Sequence, residues 1–343
     1  MVVTSGKYRG ARTGALLVIT CVALAAAACS SSSSTTSSAP AKPTGTASVA
    51  AASSLSFLNE KVVGPSFTKA EGYKYSGTYN ASGDLESDIA SGEISPNVFE
   101  SVGGDNITPL FPKYTNWYVQ YAGTSMVVAY NPNSKYASEF KAFADGSKPL
   151  SGLFTLMETP GFKLGRTDPN TDPQGRDFIY MLELAQAYYK LPSDTVAKIL
   201  GTSDYGSANS SQIYAEASLP ATLQSGQLDA SSAFITEAIQ LHMDYIPLPP
   251  AINLGDMSMA AQYMKASVTI TSGGQKVTKH GSPQVIDITM IGKPTPAGEA
   301  FVKYTLSPTG LALYKKGGFT LLPLTVTGDS SAIPASIKSE LGG

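Results

Sequence analysis

Hydrophobic positions change their spacing repeatedly along this chain. From about 46 to 52, small residues run as a short strand up to Ser53 and Ser54, after which Leu55, Leu58, Val62, Val63 and Phe67 fall at helical spacing. Tyr73–Tyr79 reads as a second strand, followed by Asn80-Ala81-Ser82-Gly83 and a helix whose Leu85 and Ile89 share a face. "NVFESV" at 97–102 is a third, shorter strand, and this alternation predicts an α/β fold. The run "NWYVQYAGTSMVVAYNP" at 116–132 is dense in β-formers and broken in the middle by Gly-Thr-Ser. A strand of that length can pass between two lobes, and it reads as a first hinge crossing.

Further on, the strand "GFKLGRTD" leads into "GRTDPNTDPQGRDF" at 165–178 and then into a clear helix over 176–190. Its Phe178, Met181, Leu182, Ala185 and Tyr188/Tyr189 trace an i, i+3, i+4, i+7 stripe that Pro192 ends. "GSANSS" is a loop, "AEASLPATLQSG" a short helix, and "LDASSAFITEAIQLHMDYIPLPPAINLG" a strand, helix and strand closed by a rigid Pro-Pro turn. "QVIDITMI" supplies the return crossing, and two helices follow in "PAGEAFVKYTL" and "SPTGLALYKKGG". No internal repeat recurs at a fixed period.

The first 29 residues change the picture. Lys7, Arg9 and Arg12 precede the apolar run "ALLVITCVALAAAAC", the layout of an export signal. Its end, "AAAC" at Ala26–Cys29, resembles a bacterial lipoprotein signal in which Cys29 would carry lipid, and residues 30–45 form a flexible Ser/Thr/Pro tether. The alternative is an uncleaved membrane anchor with a Ser-rich stalk. Either arrangement puts the folded part outside the cytoplasm. Both cysteines, Cys21 and Cys29, lie in this segment, so the exported domain has neither a disulfide framework nor a catalytic thiol. The two histidines, His242 and His280, are not at ligand spacing for zinc. Net charge is −2, and taking away the three positive charges of Lys7, Arg9 and Arg12 leaves −5. With no recurring basic patch, nucleic acid is not an expected partner.

Three strand-to-helix junctions carry candidate chemistry: Ser54, Ser82, and Asp172-Pro173-Gln174-Gly175. Helix N-termini leave unpaired backbone N–H groups that favour anions, and serine hydroxyls add neutral donors. Each serine, and Asp172 as well, can instead be a simple N-cap, and Arg166 can pair with Asp168, with Asp172 or with neither.

Taken together, residues 47–320 resemble an extracellular solute-binding protein of the molybdate/tungstate type. "AASSLS" matches a first oxyanion-binding serine loop, pointing to Ser54 with Ser53 beside it, and "NASGDLESDIASG" a second, pointing to Ser82. "GRTDPNTDPQGRDFIYMLELAQAYY" is the most specific match and adds Asp172, Gln174, Gly175 and Arg166. "LQSGQLDASSAFITEAIQLHMDYIPLPPAINL" matches the late segment, where Ala233 takes the place of a family glutamate and Phe234 that of a frequent tyrosine. Glu237 stands one helical turn later.

The resemblance implies an α/β, two-lobe periplasmic-binding-protein fold (type II) with hinge strands between the lobes. Lobe one would span 46–127 and 284–343, and lobe two 128–283. It implies a molybdate or tungstate ligand, delivery to an ABC permease and its ATPase, no cofactor, no enzymatic activity and a monomer. Asp172 would either contact the Mo or W atom of the oxyanion directly or turn back as a helix cap. Two other functions compete: a ligand-sensing or surface interaction protein on the same fold, and a serine hydrolase using Ser54 or Ser82. Against the hydrolase, neither serine sits in a G-x-S-x-G elbow.

Overall fold

The computed structural model describes residues 43–208 and 210–342. The expected signal with Cys29, and the tether up to residue 42, lie outside the described residues.

The first sheet has six strands in the order β12-β4-β11-β3-β1-β2. They are β1 (Thr46–Ala52), β2 (Lys74–Asn80), β3 (Val98–Val102), β4 (Trp117–Gly123), β11 (Val285–Met290) and β12 (Thr320–Gly328). β1 is parallel to both β2 and β3, while β11 runs antiparallel to β3 and β4. Alanine-rich β1 is tightly covered because its small side chains let helices approach from both faces. Ala47, Ala51 and Ala52 belong to the main core, and Ala50 packs with Leu85, Ile89 and Phe99 on the other side.

A second sheet, β6-β7-β5-β8, holds β5 (Met126–Tyr130), β6 (Leu164–Gly165), β7 (Ala230–Phe234) and β8 (Tyr245–Pro247). Every residue of β5 and β7 is buried, which explains why β5 reads as an unbroken apolar run rather than an alternating one. A hairpin of β9 (Ser267–Ser272) and β10 (Gln275–His280) stands apart, turned by Gly273 and Gly274, both at positive φ.

Several sequence expectations need correction. The long strand over 116–132 is two strands, β4 and β5, and Thr124–Ser125 carries the chain from the first sheet into the second. "GFKLGRTD" yields only a two-residue strand, because Arg166 turns to a bridge with Ile213. The helix expected over 176–190 spans Pro173–Tyr189, since Asp172 caps it earlier, and it ends at Lys190 in the left-handed region before Pro192 is reached. The helix after Ser54 is a run of short 3-10, α and π segments up to Glu71.

Candidate functional site

In the first sheet β1 has β2 on one side and β3 on the other, so the connections out of β1 and its neighbours diverge there. Such a switch point opens a crevice beyond the carboxyl ends of parallel strands. Ser54 follows the carboxyl end of β1 and Ser82 follows that of β2. The second sheet repeats the arrangement. Parallel β6 leads to Asp172 and Gln174, and its neighbour β7 leads to Glu237.

The 3-10 turn Ser53–Leu55 buries the Ser54 side chain, and its Oγ makes no hydrogen bond among the described residues. Ser82 is the first residue of the Ser82–Ser91 helix, fully buried, and its Oγ accepts from the Val102 N–H at 3.2 Å. That leaves the Ser82 hydroxyl hydrogen to donate elsewhere. The second and third junctions touch: Gly83 N donates to Thr171 O at 2.9 Å, and a Cβ at Gly83 would lie 2.5 Å from that oxygen.

Asp172 is the N-cap of the Pro173–Tyr189 helix. Its Oδ1 accepts from the Gln174 N–H at 2.9 Å, while Pro173 at the first helical position has no N–H to satisfy. Burial pushes its carboxyl up to about 7, against the Gln174 amide and Arg176, which favour the charged form. Gly175 allows the turn to close on itself, since a Cβ there would meet Thr167 O at 2.5 Å.

Gln174 gathers the rest. Its Nε2 donates to Glu216 Oε1 at 2.9 Å and to Glu237 Oε2 at 2.7 Å, and its Oε1 accepts from Ser232 Oγ at 2.7 Å. Glu237 Oε2 also receives the Phe234 N–H at 3.1 Å, closing the start of the Ile235–Gln240 helix. Burial raises Glu237 to about 7 and Glu216 well above the ordinary carboxylate range, with the Asp172 charge adding to both. Beside Ser54 and Glu237 opens a cavity of about 490 Å³, lined also by Ser53, Lys61, Ala217 and Gln240.

The structure thus brings Ser53, Ser54, Ser82, Asp172, Gln174 and Gly175 to adjoining junctions, and adds Glu216, Ser232 and Glu237. It does not bring Ala233 or Arg166 into that network. Ala233 packs on the opposite face of β7 with Val127, Leu223 and Met243, and Phe234 contributes its backbone N–H while its ring joins the core. Arg166 pairs with neither Asp168 nor Asp172; fully buried, it donates from Nε to Gln212 Oε1 at 3.1 Å, and burial lowers its pKa to about 10. Glu237 carried a readable signal, three residues past a strand end in capping position. Glu216 carried none: it opens the 3-10 turn Glu216–Ser218 ahead of the short helix expected in "AEASLPATLQSG", with nothing local to single it out. Neither histidine bonds to Ser54 or Ser82: His280 Nδ1 faces Met264 O at 3.1 Å.

These junctions match a known family pattern over residues 47–320, that of the bacterial extracellular solute-binding proteins. The chain belongs to that family. An uncharacterized solute-binding protein of Petrotoga mobilis is 30% identical over 213 residues, covering 61% of this chain and 62% of the relative. The molybdate/tungstate-binding protein WtpA of Pyrococcus abyssi is 30% identical over 226 residues, covering 60% and 62%. The chain therefore spans about six tenths of the length of these curated relatives. The periplasmic molybdate-binding protein of Azotobacter vinelandii superposes with a TM-score of 0.52 at 16% identity, covering 80% of this chain and 99% of that one. This solute-binding protein has the two-lobe α/β fold of type II periplasmic binding proteins expected from the sequence. No helix among its described residues is long and apolar enough to cross a membrane.

Proposed function

We propose that this protein binds a tetrahedral oxyanion, molybdate or tungstate, outside the cytoplasm and delivers it to an ABC importer through that importer's permease and ATPase. One observation carries the reading. The Ser54 hydroxyl, buried at the switch point of the first sheet beside an open cavity, is a donor without an acceptor among the described residues. Family membership and the name of the Pyrococcus abyssi relative support the choice of anion.

In this reading Ser54 and Ser82 donate from one lobe, and the turn at Gly175 approaches from the other, with Gln174 holding Glu216 and Glu237 beside it. Asp172 acts as the cap of its helix, its Oδ1 holding the Gln174 N–H. Lobe one comprises 46–127 with 284–343 and lobe two 128–283; the division of strands between the two sheets supports this except at β5, whose Met126 and Val127 already pair in the second sheet. Closure about Thr124–Ser125 and 281–284 traps the anion. The protein works as a monomer without a cofactor or catalysis, held at the membrane by lipid on Cys29.

Calorimetric titration of the purified protein with molybdate, tungstate, sulfate and phosphate tests this. One-to-one binding of the first two, with sulfate at least about a hundredfold weaker (~2.7 kcal/mol), is expected. Absence of binding by all four would overturn it.

A further inference from the structure

Glu216 and Glu237 are not among the oxyanion-binding positions expected from the sequence, and their surroundings set them apart from an ordinary buried acid. Glu100 in β3 is the contrast: fully buried, it receives Asn59 Nδ2 at 2.7 Å, Tyr121 OH at 2.9 Å and Tyr314 OH at 2.7 Å, a closed structural network. Glu216 and Glu237 share one side-chain donor group, the two hydrogens of Gln174 Nε2. Both are more than nine-tenths buried, and no lysine or arginine pairs with either among the described residues.

The charged groups around them do not remedy this. Asp172 and Asp177, at the start of the helix beneath, add negative charge. Arg176 in the same helix spends its guanidinium on Pro169 O and Asn106 Oδ1. Asp84, in the helix after Ser82, acts on Asp172. Across the cavity stand Glu60 and Lys61, of opposite charge. Buried carboxylates without a counter-ion do not all stay ionised, and a bound dianion makes the charged forms costlier still. The upward push on both groups agrees with this.

Resting on the oxyanion reading, we propose that Glu216 and Glu237 make binding proton-coupled: the site takes up protons on this pair together with each oxyanion, converting carboxylate acceptors into O–H donors. The two residues are then determinants of affinity and of its pH dependence.

The test is calorimetry with molybdate at pH 7.5 in two buffers of different ionisation enthalpy, PIPES and Tris, followed by affinity measurements from pH 5.5 to 8.5. The expected result is uptake of about one proton or more per anion, with affinity falling several-fold per pH unit above 7. Glu216→Gln and Glu237→Gln are each expected to reduce the uptake, and the double variant to bind with no proton exchange and a flat pH profile. Tight binding by the unaltered protein with no proton exchange, or with proton release, overturns the proposal and leaves oxyanion binding standing. No binding at any pH overturns the oxyanion reading itself. Uptake that persists undiminished in both single variants also overturns it, since the proton then sits on another group such as Asp172.

Discussion

Gln174 is the side chain on which the candidate site turns, because its single amide satisfies two carboxyls and a hydroxyl at once. Gln174→Ala would strip donors from Glu216 and Glu237, and leaving buried partners unmet costs about 1–3 kcal/mol each. The expected outcome is a clear drop in the denaturation midpoint and a loss of molybdate affinity of at least about tenfold (~1.4 kcal/mol). Asp172→Asn is the complementary case. Asparagine caps a helix as well as aspartate does, so stability and affinity should stay within about threefold; a loss beyond tenfold (~1.4 kcal/mol) would instead assign Asp172 a direct bond to the metal atom. Protons provide a third check at this scale. Glu237 titrates at 4.5 when unperturbed and near 7 in the fold, so the folded protein holds a proton that the unfolded chain has released between those values. Stability of the ligand-free protein should therefore decline as pH rises from about 4.5 to 7 and then level off. Urea denaturation at pH 5, 6, 7 and 8 should show a shallower decline for Glu237→Gln than for the unaltered chain.

At the scale of elements, the site depends on how closely the helix-opening turns approach one another. Gly83→Ala would place its methyl carbon 2.5 Å from Thr171 O and would push the Ser82 turn away from the Asp172 turn. Weaker oxyanion binding with the fold retained, seen as an unchanged circular dichroism spectrum, is the expected result. These turns were legible in the sequence because each is local: a strand, a serine or aspartate, then helical spacing. What was not legible depends on parity and on distant partners. In β7 a step of one residue decides the face, so Ser232 meets Gln174 while Ala233 joins the opposite core. Glu216 reaches Gln174 across 42 positions of sequence from a stretch with no periodic pattern. The β9–β10 hairpin, by contrast, had a local mark in Gly273-Gly274 between alternating residues.

For the whole molecule, the first crossing was visible as a long β-rich run but its division between two sheets was not, and "QVIDITMI", expected as the return crossing, instead lies wholly within the first sheet as β11, after the chain has returned. Closure of one lobe on the other around a bound anion should lower the radius of gyration. Small-angle scattering with and without molybdate checks this; an identical curve at saturating ligand would mean that the lobes do not move. The order of the first sheet has another consequence. β11 lies between β3 and β4, and β12 covers the outer side of β4, so strands near the end of the chain complete a sheet begun near its start. Until residues 285–328 are present, β3 and β4 have no strand to join them. The sheet therefore closes last, its long-range pairing waiting for the final part of the chain to arrive.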